Sequence, residues 1–130
     1  MKVIQILALT AFLALCGDMG FAQGKLGTLM EETTPEERAE MQTENMAQTL
    51  SLSDSEKENV SAINLKYARR MQGIYDSGQG RMQRFRQMKT VSEEKDLELK
   101  KVLTATQYRK YSENKQEMKD NIRAKAKEKR

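Results

Sequence analysis

The chain has 130 residues, a formal net charge of +4, 38% hydrophobic residues, one cysteine, no histidine and no tryptophan. Without histidine, the serine–histidine and cysteine–histidine nucleophile pairs are excluded, and so is the commonest metal ligand. Aromatics are few and charge is high, so one domain of this size buries only a thin core, and either partial disorder or helix pairing across a homodimer is expected.

The chain opens with the three parts of a secretory signal peptide: Lys2, an apolar run over residues 3–15, and small residues Gly20 and Ala22 before a cut after Ala22. The run is shorter than the ~20 residues that span a bilayer. A short membrane anchor and a lipoprotein are the alternatives, but Leu15 before Cys16 is larger than a lipoprotein site favours. Cleavage after Ala22 leaves no cysteine, and hence no disulfide in the exported protein. The expected organisation is a signal peptide (1–22), a flexible leader (23–33), a helical domain (34–122) and a basic tail (123–130).

In the leader, Gly24 and Gly27 accompany no clean period. Thr34-Pro35-Glu36-Glu37 then predicts a helix start, with a capping threonine, a proline at the first helical position and a glutamate reaching back. This helix runs to about Thr49. Ser53-Asp54-Ser55-Glu56 predicts a second start. Val60, Ile63, Tyr67, Met71 and Ile74 follow at spacings of three and four, the stripe of an amphipathic helix. Ser77-Gly78-Gln79-Gly80 ends it. A third helix is expected over about 81–102, with Phe85, Met88, Val91, Leu99 and Val102 as its stripe. That stripe weakens at Lys95, and a bend or restart is expected at 90–92. Thr104-Ala105-Thr106-Gln107 begins a fourth, carrying Tyr108, Tyr111, Met118 and Ile122 and fraying into the tail. No segment alternates with period two. The predicted fold is all-α, with about four helices, the middle two forming a long amphipathic hairpin.

Charge is segregated. Residues 31–58 hold nine acidic side chains against Arg38 and Lys57, and residues 66–89 hold seven basic ones against Asp76. A basic stretch invites a nucleic-acid reading. Export and the lack of interleaved aromatics speak against it. The stretch mixes charge with adaptable apolar residues, so Arg69, Arg70, Arg81, Arg84, Phe85, Arg86 and Met88 are the candidates for binding an acidic, partly unfolded chain. The bland reading makes Phe85 and Met88 core and leaves the arginines in water. Glu31-Glu32, Glu36-Glu37 and Glu93-Glu94 are sequence neighbours that point apart on a helix. No catalytic residue, cofactor or metal site is expected. Methionines Met71, Met82 and Met88 are the one soft-ligand group, suited to Cu(I), but methionine more often fills irregular cores.

Leu52-Ser53-Asp54-Ser55-Glu56 and Leu103-Thr104-Ala105-Thr106-Gln107 repeat one pattern at an offset of 51 residues. Each has a leucine, a hydroxyl cap and a residue three beyond that reaches back to it. The second copy resembles the LTxxQ motif of the Spy/CpxP-like periplasmic proteins. The first, with Ser53 and Glu56, resembles a degenerate copy of it. The resemblance covers about residues 34–117. It implies a cradle-like antiparallel homodimer in the periplasm and an ATP-independent chaperone for non-native proteins in envelope stress. For some relatives it implies a regulator of an envelope-stress sensor kinase instead. The stretch between the two copies is shorter than in the best-known chaperone of that group, and the histidines of its metal-sensing branch are missing.

Overall fold

The computed structural model describes residues 23–128. The expected signal peptide, with Cys16, and the end of the basic tail lie outside the described residues. Five helices follow one another: α1 (Gln23–Glu32), α2 (Pro35–Leu50), α3 (Asp54–Asp76), α4 (Arg81–Val102) and α5 (Ala105–Glu128). The fold is all-α, and among the described residues there is no strand. No described helix is long and apolar enough to cross a membrane.

Local chemistry sets the helix starts. Thr34 Oγ1 accepts the Glu37 N–H at 3.1 Å, and the Glu37 carboxylate accepts the Thr34 N–H at 2.7 Å. Ser53 and Glu56 make the same exchange at 3.2 and 3.1 Å. Thr104 and Gln107 make it at 3.2 and 2.9 Å. Each exchange satisfies two N–H groups that a helix start otherwise leaves free. At the other end of α2, Ser51 adopts left-handed backbone (φ 51°, ψ 53°), and the N–H groups of Ser51 and Leu52 both donate to Ala47. That turn reverses the chain into α3. Gly78, at φ 69°, does the same between α3 and α4.

Helices α2 to α5 pack as a ring, each against its chain neighbour and α2 against α5. At one end Met46, Leu50, Val60, Leu99, Leu103 and Tyr111 form an apolar cluster, with Leu52, Ile63, Val102 and Tyr108 packed on it. At the other end Met30, Tyr67, Met71 and Val91 form a second cluster, flanked by Ile63, Ile74, Tyr75 and Met88. Buried polar residues are interspersed: Gln42, Thr43, Asn64, Ser92 and Lys95. Lys95 Nζ donates to Gln42 Oε1 at 2.6 Å, and Asn64 Nδ2 donates to Thr43 Oγ1 at 3.0 Å.

Three expectations need correction. Residues 23–32 are helical rather than a leader without regular structure, because Met30 docks into the second cluster. Helix α4 runs through residues 90–92 unbroken, because Val91 and Ser92 are both buried against the rest of the bundle. Helix α5 continues past residue 122 into the basic segment, to Glu128.

The paired helix starts predict a measurable cost. Thr104→Ala removes the acceptor for the Gln107 N–H and is expected to destabilise the fold by about 1 kcal/mol. Denaturant titration checks it: an unchanged midpoint excludes a stabilising cap at this position.

Candidate functional site

The two motif copies meet in space. Leu103 is buried in the first cluster and Leu52 packs against it. Gln107 Nε2 reaches across to the Leu50 carbonyl at 3.5 Å, the free end of α2. Hydrogen bonds from the Ser53 side chain and backbone hold the Glu56 carboxyl below its ordinary range, with a smaller contribution from the nearby Gln107 side chain. The glutamine of one copy therefore serves the turn of the other, and the motif is an architectural joint.

The arginine candidates divide into separate settings. Arg69 is paired with Glu36 across α2 and α3 at 3.0 Å. Arg70 is paired with Glu94 and lies over the Tyr67 ring at 5.2 Å. Arg84 donates to the Tyr75 carbonyl at 3.3 Å and sits 5.7 Å from the centre of that ring. Arg81 and Arg86 are exposed, and Phe85 and Met88 are half-buried. Among the methionines considered for copper, Met71 and Met88 belong to the second cluster, whereas Met82 stands outside it, half exposed. Among the described residues no group of three or more acidic side chains is placed to hold a metal ion.

Arg70 and Arg86 come together. They line an open groove of about 490 Å³ along the α3–α4 seam, with Gly73, Ile74 and Val91 among its other residues. A side chain at Gly73 would meet nothing within 4 Å, so its absence leaves the groove open. Ile74 and Val91 connect the groove to the second cluster. The groove thus joins apolar surface to Arg86 and to Arg70, whose guanidinium is also paired with Glu94. Its lining suits an apolar group beside an anion. A second groove, of about 500 Å³, runs between α2 and α3 and is acidic, lined by Glu36, Glu40, Glu44, Asp54 and Glu58. The sequence reading did not find either groove. Counting outward from the glycine turn in both directions brings Arg70 close to Arg86, the one sequence signal that locates the first.

Carboxylates brace the seams on both sides of α3. Lys66 and then the Tyr67 hydroxyl hold Glu98 below its ordinary range, and the hydrogen bonds of its own backbone and then Arg69 do so for Glu36. Burial, aided by the hydrogen bond to Glu98, pushes the Tyr67 phenol up to about 12, so it remains a donor. Carboxyls with depressed folded values stabilise the fold above the ordinary value of 4.5, and that contribution is lost as pH falls through the folded values. Helicity followed in an acid titration is therefore expected to fall below pH 4.5. Glu98→Gln should flatten that dependence.

No curated protein and no solved structure matches the chain. A family model described as Domain of unknown function (DUF4890) matches residues 22–111, from the start of α1 to the buried Tyr111 of the first cluster, and the chain belongs to that family.

Proposed function

We propose that the protein is an ATP-independent periplasmic chaperone that holds unfolded or partly folded chains, of the Spy/CpxP type. The observation that carries the reading is the α3–α4 groove, where Arg70 and Arg86 flank apolar surface from Ile74 and Val91. A binder of many sequences needs contacts that tolerate variation, and open apolar surface with methionine nearby supplies them. It also needs long-range attraction, which the arginines supply for acidic clients. The LTxxQ-like joint and the all-α bundle support the same reading. In it, the signal peptide delivers the protein to the periplasm, and two copies present their grooves as a cradle.

The test is suppression of aggregation without nucleotide. A several-fold molar excess of protein is expected to protect several unrelated unfolding proteins. Added salt should slow capture, because attraction between exposed charges is screened over about 8 Å at physiological ionic strength. Replacing Arg81, Arg84 and Arg86 with glutamate should weaken capture of acidic clients several-fold with helix content nearly unchanged. Protection of no client sinks the reading. Tight binding of one envelope protein alone, such as the sensor domain of a kinase, replaces it with a regulatory role.

A further inference from the structure

We infer that α1 is a displaceable lid, and that the methionine-lined cleft beneath it takes a segment offering a large apolar residue beside carboxylates, as non-native chains do; this partner assignment rests on the chaperone reading above. The first support is that α1 is a poor helix on its own. It has ten residues, below the length at which isolated helices persist in water. Gly24 and Gly27 weaken it further. Its first turn carries no acidic residue, while Glu31 and Glu32 sit in its last turn, at the negative end of the helix dipole. Docking therefore holds it in shape, and release lets it unfold.

The second support is the manner of docking. Met30 is 4% exposed, seated against Tyr67, Met71 and Val91. The Tyr75 hydroxyl donates to Glu31 at 3.1 Å. The chain then passes through Thr33, whose carbonyl and hydroxyl accept from Arg38 at 2.6 and 3.2 Å. Arg38 is fully buried and also donates to Gln72 at 2.6 Å. The pivot is thus anchored, and among the described side chains of the helix before it Met30 is the buried one.

The third support identifies the occupant. The lid presents Met30-Glu31-Glu32, an apolar anchor followed by two carboxylates. That is the chemistry the surrounding surface matches: Met71 and Met88 adapt to an apolar side chain, and Arg84 lies against the Tyr75 ring. Because Ile74 and Val91 belong to both the cluster and the groove, displacement of α1 joins the two into one apolar surface with Arg70 and Arg86 on it.

Two substitutions in the full chain move the lid in opposite directions. Met30→Ala removes the anchor. Gly27→Ala strengthens the helix, and its added methyl meets the Tyr75 hydroxyl at an ordinary 3.4 Å. Hydrogen exchange at residues 27–33 is expected to quicken at least ~10-fold in the first and to slow about fivefold in the second, with α3 and α4 unchanged. A fluorescent peptide of residues 23–33 should bind Met30→Ala more tightly than the wild type, and Gly27→Ala more weakly. Capture of reduced α-lactalbumin should follow the same order. If Met30→Ala leaves exchange in α1 unchanged, or quickens it equally in α3 and α4, the lid is overturned. If α1 opens and the peptide binds no better, the cleft is overturned. If exchange and peptide binding behave as expected but no variant protects α-lactalbumin, the lid and the cleft stand and the chaperone reading falls.

Discussion

Leu99→Ala is expected to cost about 3 kcal/mol, the typical loss when a fully buried leucine is cut to a methyl group and leaves a cavity. Leu99 has no exposed surface and packs in the first cluster with Met46 and Leu50 of α2, Val60 of α3 and Tyr111 of α5. Three other helices converge on it, so none can close the void without giving up contacts with another. A domain of this size has only about 5–15 kcal/mol of stability. The change therefore removes a large fraction, and the melting temperature should drop by roughly 15 °C. Leu97, two positions away on the same helix, is 62% exposed. Leu97→Ala should change stability by less than about 0.5 kcal/mol. Equal losses at the two positions, measured by thermal and denaturant unfolding, would contradict the packing of α4.

The second large effect concerns the buried polar residues. Gln42→Leu takes away one buried acceptor of the Lys95 ammonium and is expected to cost about 2 kcal/mol, the range for hydrogen bonds to charged groups. Gln42→Leu combined with Lys95→Met replaces both partners with apolar groups of similar volume. The double variant is expected to match or exceed the wild-type stability, because the desolvation of the ammonium disappears along with its partner. Gln42 Nε2 is also buried with no protein partner, and leucine removes that unsatisfied group. A double-mutant cycle reads the coupling directly. Additive losses in the double variant would show that Lys95 draws its stability from elsewhere.

How legible these features are in the sequence depends on how local their causes are. The starts of α2, α3 and α5 are written in four-residue exchanges that need nothing distant, so they can be read directly. The stripe Val60, Tyr67 and Met71 is buried as its spacing demands. Helix α1 is illegible, since two glycines and no period suggest irregular chain, and the seat of Met30 between α3 and α4 is a distant contact. The restart expected at 90–92 rests on the weak stripe at Lys95 and on Ser92 as a cap before Glu93 and Glu94, signals that the burial of Val91 and Ser92 overrides. Lys95 interrupts the apolar stripe and suggests a surface position. One acceptor is Gln42, 53 residues away on α2, a pairing that local pattern does not announce. The candidate arginines were grouped by proximity in sequence. The fold sorts them by helix face, so Arg69 turns toward Glu36 on α2 while Arg70 turns into the groove with Arg86.

The ring of helices also sets an order in time. Three of its seams join consecutive helices, and such local contacts form early and fast. The fourth, α2 against α5, joins residues as far apart as Leu50 and Gln107, 57 positions along the chain. A chain synthesised from its N-terminus has α2 and α3 in hand long before α5 exists. Until Leu99, Leu103 and Tyr111 arrive, Met46, Leu50 and Val60 form half of a cluster whose other half is unmade. That interval leaves apolar surface uncovered, and a chain ending before Tyr111 is expected to keep it so and to aggregate.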